Sequence, residues 1–324
     1  MPVVASDRAR NNATAKKIHQ KCSLSCGLGR YSIMTTESAK TRIFMFPGQG
    51  SQKKGMGETL FAKFPEQTAA ASAELGYSID ELCLKDPANQ LDQTQFTQPA
   101  LFVVNALSFL ARLTENAELP HFVAGHSLGE YDALFAAGVF DFATGVKLVK
   151  QRAALMSRAR GGAMAAVIGL TQDQIKDALG AAGLNSIDIA NLNSPNQIVI
   201  SGPESDLPAS QGVLEKAGAQ LFKRLNVSAA FHSRYMEAAG REFATFLAPF
   251  EFAPPRIPVI SNVTARPYEP GQAKENLARQ ITHSVRWTES IQWLLEKPGA
   301  EFHEVGPGNV LTGLLRRIQG GRKP

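Results

Sequence analysis

The sequence predicts an α/β protein: a large part built on a mostly parallel sheet, interrupted by a small inserted unit. Three observations carry this. Strands and helices alternate along most of the chain, which favours parallel strands joined by helices. The segment 162–228 reads β-α-β-β-α-β, a complete split unit of its own. After it the alternation resumes. The 324 residues allow two domains, and 44% apolar with 19% charged residues is ordinary for a chain with a sizeable core.

Residues 1–41 show no sustained periodicity and are rich in Asn, Ser, Ala, Lys and Arg, so a disordered basic tail is expected. Arg8, Arg10, Lys16, Lys17, Lys21 and Arg30 face only Asp7 within residues 1–34. They account for the entire net charge of +5, and the remaining residues balance to zero. The body therefore lacks the basic excess that nucleic-acid binding requires. No uninterrupted apolar run approaches the ~18 residues of a spanning helix, so no membrane segment is expected. Three cysteines make no disulfide framework, which points to a reducing, cytoplasmic setting. Cys22 and Cys26 form a lone C-x-x-x-C where a metal site would need more ligands, and no metal or cofactor is expected.

The large part is expected over 42–161 and 229–318. Arg42–Phe46 reads as a strand, followed by the loop Pro47-Gly48-Gln49-Gly50-Ser51-Gln52 and helical sequence from about Thr59. A buried helix is expected over Pro99–Leu113, then a strand at His121–Gly125. Leu128–Ala137 reads as a helix closed by Gly138, and Asp141 as the cap of a helix over Phe142–Arg158. In the inserted unit, strands are expected at Ala163–Leu170, Ile187–Leu192, Ile198–Ser201 and Gln220–Val227, with helices at Gln172–Ala182 and Ser205–Ala217. This order is ferredoxin-like. The body then resumes with a helix from about Ser233, a strand at Val259–Asn262, a helix from Trp287, a strand at Phe302–Val305 and a closing helix after Gly306-Pro307-Gly308.

Gly125-His126-Ser127-Leu128-Gly129 fits G-x-S-x-G between a predicted strand and a predicted helix, the context that makes Ser127 a candidate nucleophile. The backbone N–H of Leu128 is a natural oxyanion donor. Among six histidines, His232 follows a strand and opens a helix, a position that favours the neutral, proton-accepting imidazole. A lone histidine is more often structural, and position alone favours that role for it. Gly48-Gln49-Gly50 fails the phosphate-loop patterns, because no G-K-[ST] follows and the sixth place of G-x-G-x-x-G is Lys53. It can instead bring a backbone N–H to a reacting carbonyl.

On the wheel of the 142–158 helix, Arg152 falls at roughly 240°, inside the arc holding Leu148, Leu155, Met156 and Val149. A buried guanidinium needs a partner. Either a core carboxylate pairs with it, or the site awaits a substrate carboxylate held bidentately.

The ordered motifs resemble the malonyl-CoA:acyl-carrier-protein transacylase family, most of all the free-standing acyltransferases of polyketide synthesis. They are F-P-G-Q-G-S-Q (46–52), G-H-S-L-G-E (125–130), Q-R-A-A-L-M (151–156), N-L-N-S-P-N-Q-I-V-I-S-G (191–202), A-F-H-S (230–233), S-N-V-T (261–264), V-R-W (285–287) and E-V-G-P-G-N-V-L-T-G-L (304–314). The resemblance implies an α/β-hydrolase-like large domain with a parallel sheet and an inserted ferredoxin-like small domain. It implies Ser127 as nucleophile and His232 as base, with the carbonyl of Gln280 orienting the histidine. It implies an oxyanion hole from Gln49 and Leu128, and Arg152 as the partner of the malonyl carboxylate. Met156, Phe231, Asn191 and Asn193 are implied as substrate-contacting or supporting residues. The implied activity is ping-pong malonyl transfer from malonyl-CoA to the phosphopantetheine thiol of an acyl carrier protein, by a monomer. A trans-acting polyketide role is favoured over a housekeeping fatty-acid role. An editing hydrolase of the same fold is the nearest rival activity.

Overall fold

The computed structural model describes residues 40–116, 118–227 and 229–321. The basic tail expected over residues 1–41 and the Cys22/Cys26 pair lie outside these, except for Lys40 and Thr41. Thr41 is a correction to that boundary. It already belongs to β1 (Thr41–Phe46), because its N–H donates to the carbonyl of Gly299 at 3.0 Å and it pairs with Ala300.

The region read as one helical stretch from Thr59 is three helices: α1 (Glu58–Lys63), α2 (Pro65–Leu75) and α3 (Ile79–Leu84). Pro65 opens α2, Gly76 closes it at φ 85°, and Ser78 caps α3 through the N–H of Glu81. Then comes α4 (Thr94–Glu115), which starts before Pro99 rather than at it. The N–H groups of Phe96 and Thr97 both reach the carbonyl of Gln93 at 2.8 Å, so the first turn closes ahead of the proline. By length and composition alone α4 is apolar enough to cross a membrane. Here 72% of the apolar window is buried inside the fold.

Strand β2 (Phe122–Gly125) leads into α5 (Gly129–Ala136), which Gly138 follows at φ 73°. Asp141 caps α6 (Phe142–Arg158), accepting the N–H of Thr144 at 2.8 Å. The inserted unit is β3 (Gly162–Ile168), α7 (Gln172–Ala181), β4 (Asp188–Ser194), β5 (Gln197–Pro203), α8 (Leu207–Lys216) and β6 (Leu221–Arg224). The body resumes with a 3-10 turn at Arg234–Met236, α9 (Glu237–Leu247), β7 (Val259–Ile260), α10 (Ala273–Gln280), α11 (Trp287–Leu294), β8 (Ala300–Glu304) and α12 (Val310–Gly320).

Two sheets result. One is parallel, in the order β7-β2-β1-β8. Its buried strand residues Ile43–Phe46 explain why β1 reads as continuous apolar sequence rather than alternation. The other is antiparallel, β4-β5-β3-β6, the order a ferredoxin-like unit requires. The antiparallel sheet joins the large part along β4, at the segment that leads into α11. The N–H of Leu192 donates to the carbonyl of Val285, and that of Val285 to the carbonyl of Ala190, each at 2.9 Å. The hydroxyl of Thr288 adds a bond to the carbonyl of Leu192 at 2.8 Å. The junction brings Asn193 of β4 to His126, just past the C-terminal end of β2, where open α/β sheets carry their sites.

Candidate active site

Ser127 stands in the turn between β2 and α5, at φ 52°. A non-glycine residue in the left-handed region is strained, and such strain gathers at functional turns. The turn is possible only because its flanks lack side chains. A Cβ on Gly125 would lie 1.9 Å from the carbonyl of Gly129, and one on Gly129 would lie 2.0 Å from the carbonyl oxygen of Phe46. Asn262 splints the turn from the end of β7, accepting the N–H of Ser127 and donating to the carbonyl of Gly125, each at 2.7 Å. β7 ends at Ile260 instead of continuing to Asn262, because the backbone turns there: the Ser261 N–H donates to the carbonyl of Arg266 and that of Asn262 to Glu130.

His232 is also at positive φ, 58°, and 4% exposed. Its Nε2 lies 2.8 Å from Ser127 Oγ, and its Nδ1 lies 2.7 Å from the carbonyl oxygen of Gln280. That carbonyl can only accept, so Nδ1 carries the hydrogen and Nε2 presents its lone pair to the serine hydroxyl. Burial, followed by the nearby Arg152 charge, lowers the imidazole from its ordinary value to about 3. The ring is neutral throughout the physiological range.

Arg152 is completely buried, on the face of α6 that the helical wheel places inward. Its Nη1 donates to Gln98 Oε1 at 2.7 Å. Its Nη2 donates to Gln280 Oε1 at 2.8 Å and to Ser127 Oγ at 3.1 Å. The guanidinium carbon lies 5.4 Å from the centre of the Tyr131 ring. Among the described residues no carboxylate forms an ion pair with Arg152, and its Nε has no partner. A core salt bridge is therefore not what holds it. Burial lowers its pKa, opposed by Tyr131 and Glu130.

A cavity of about 100 Å³ opens over Ser127. Gln49, Leu128, Arg152, Met156, Asn191, Phe231 and His232 line it with Ser127. The backbone N–H groups of Gln49 and Leu128 have no acceptor among the described residues. Two of the predicted residues stand back from the cavity wall. Asn193 reaches the site through His126, Oδ1 to Nε2 at 2.7 Å, and Gln280 through its carbonyl and its amide.

Sequence reasoning missed Gln98, Asn262, Glu130 and the whole of α10. For α10 a signal existed: Leu277 and Ile281, four apart and both fully buried, mark one helical face. Gln98 and Asn262 carried no such signal, because a polar residue reveals its partner only in three dimensions.

Residues 43–319 match the family model of the acyl transferase domain. The chain is 57% identical over 277 residues to the polyketide biosynthesis malonyl CoA-acyl carrier protein transacylase of Bacillus velezensis, covering 85% of this chain and 96% of that one. It is 39% identical over 283 residues to the malonyl CoA-acyl carrier protein transacylase of Escherichia coli K12, covering 85% and 92%. The crystal structure of malonyl CoA-acyl carrier protein transacylase from Burkholderia pseudomallei superposes with a TM-score of 0.86 at 50% identity, over 88% of this chain and 100% of that one.

Proposed function

The chain belongs to the acyl transferase domain family, and from that premise we propose that it moves malonyl groups from malonyl-CoA to the phosphopantetheine thiol of an acyl carrier protein. The observation that carries this reading is the buried Arg152. Its guanidinium lacks a carboxylate partner and lies 3.1 Å from the serine hydroxyl, where an acyl group bearing a free carboxylate would supply one.

The reaction runs in two halves. Ser127 Oγ forms a bond to the thioester carbon while its proton passes to His232 Nε2. The carbonyl oxygen takes the negative charge, met by the N–H groups of Gln49 and Leu128. The C–S bond then breaks, and the departing sulfur takes the proton from His232. In the second half the carrier thiol gives its proton to His232 and attacks the malonyl-serine ester, and Ser127 leaves with that proton. Met156 and Phe231 shape the acyl pocket, and Asn191 and Asn193 support it. Serine chemistry of this kind calls for no metal and no cofactor beyond the coenzyme A carried by the substrate.

Higher identity to the polyketide relative than to the Escherichia coli protein supports action in trans for polyketide synthesis. A cytoplasmic location and a monomeric state belong to the same proposal. The free, buried thiol of Cys83 fits a reducing compartment. The test is brief incubation with radiolabelled malonyl-CoA, peptide mapping, and then addition of carrier protein. Label on Ser127 that is discharged to the carrier thiol is expected. Label that is lost to water at the same rate with or without carrier would make the protein a hydrolase.

A further inference from the structure

Behind Ser127 lies a buried polar cluster that the transfer steps do not use. Glu130 is fully buried in the first turn of α5. Its Oε1 accepts the backbone N–H of Asn262 at 3.1 Å and the hydroxyl of Tyr268. Its Oε2 accepts from Gln280 Nε2. The same Nε2 donates to the carbonyl of Ser127 at 2.8 Å, and Gln280 Oε1 accepts from Arg152 Nη2 at 2.8 Å.

A side-chain amide can face two ways, and its neighbours decide which. Here the choice is forced. The Ser127 carbonyl and a carboxylate accept, while a guanidinium only donates. The amide nitrogen must therefore face Glu130 and Ser127, and the amide oxygen must face Arg152. The arrangement has a second consequence. Gln280 stands between Glu130 and Arg152, so the guanidinium gains a neutral acceptor instead of an ion pair, and its charge is not neutralised on contact.

We propose that Glu130 is a positioning residue for substrate selection: by holding the Gln280 amide in one orientation, it keeps Arg152 beside Ser127 with its charge available to the acyl carboxylate. This rests on the reading of Arg152 as that carboxylate's partner. Glu130→Gln tests it with almost no change of volume. Its new NH₂ must meet either Gln280 Nε2 or the N–H of Asn262, and both are donors. The simplest relief turns the Gln280 amide, which sets its NH₂ against Arg152.

The measurement, made at about pH 8.5 so that Glu130, raised by burial to about 7, is ionised, is kcat/KM for serine acylation by malonyl-CoA and by acetyl-CoA, in the wild type, Glu130→Gln and Arg152→Ala, with melting temperatures. In Glu130→Gln the malonyl-to-acetyl ratio is expected to fall at least about tenfold, the loss of roughly one charge-assisted contact. Equal losses for both thioesters, or no loss, would overturn the inference and leave Glu130 a structural residue. Should Glu130→Gln not fold, Tyr268→Phe removes one donor to Glu130 and keeps the ring. The ratio is then expected to fall about two- to fivefold, and an unchanged ratio overturns the inference equally. An Arg152→Ala ratio equal to that of the wild type would sink the functional reading itself, which separates the two failures.

Discussion

Ser127 and His232, the two residues 2.8 Å apart at the reacting centre, are both held at positive φ although neither is glycine. Their hydrogen bond is thus set by two strained turns and not by flexible side chains, which lowers the reorganisation needed during the reaction. Arg152→Ala should cut kcat/KM for malonyl-CoA by about 30- to 5000-fold, corresponding to roughly 2–5 kcal/mol for truncating one member of a buried charge pair. Acetyl-CoA has no carboxylate to lose, so its kcat/KM should hold or rise. Rates measured with both thioesters check this, and an equal fall for the two would make Arg152 a structural residue. A second expectation concerns pH. Burial holds His232 neutral down to about pH 3, so the acid limb of kcat/KM should lie well below the ordinary histidine value near 6.5. A pH–rate profile bending near 6.5 would show that the free enzyme's base is not this buried imidazole.

At the scale of elements, the site is the product of close backbone approaches. Helix α5 comes so near β1 that Gly129 touches the Phe46 carbonyl, and this contact aims the helix N-terminus at the cavity. Gly129→Ala should therefore displace backbone, lower the melting temperature by several degrees and remove activity. Gly212 in α8 is the contrast, with nothing within 4 Å of an added Cβ. Gly212→Ala should stabilise by about 0.5–1 kcal/mol through lower chain entropy, with activity unchanged. Thermal melts of the two variants decide both. Helix α10 contributes in another way, since its C-terminal residue Gln280 binds His232 through its backbone and Arg152 and Ser127 through its side chain.

For the whole molecule, the site closes only when the antiparallel sheet docks along β4 on the segment that leads into α11. Asn191 then reaches the cavity from the small sheet and Asn193 fixes His126. This assembly buries groups whose titration feeds back on stability. His232 titrates lower in the folded chain than in the unfolded one, so the stability tied to its neutral form is complete above about pH 6.5 and lost as pH falls toward 3. Relative to His232→Gln, the wild type should lose roughly 1.5 kcal/mol between pH 6.5 and 5. Glu130 runs the other way. Burial raises its carboxyl to about 7, so its contribution is present at low pH and lost as pH rises through that value. Urea melts of wild type and His232→Gln across this range measure the histidine alone, because Glu130 is common to both. A difference independent of pH would contradict the depressed value.

Local sequence determined the nucleophile turn, the βαββαβ unit, the cap at Asp141 and the inward face of α6, because each rests on residues within one or two turns or strands of each other. Period and spacing alone placed Arg152 in an apolar arc. They could not say what met it there, since Gln98, Ser127 and Gln280 approach from three other parts of the chain. The same limit applied to His232, whose pairing with Ser127 spans 105 residues and was readable only through family likeness. Apolar patterning reports which face is buried, because burial is non-directional and repeats with the period of the element. Hydrogen bonds are directional and do not repeat with the period of an element, so the fate of Glu130, Asn262 and the Gln280 amide was decided only when α5, β7 and α10 packed together.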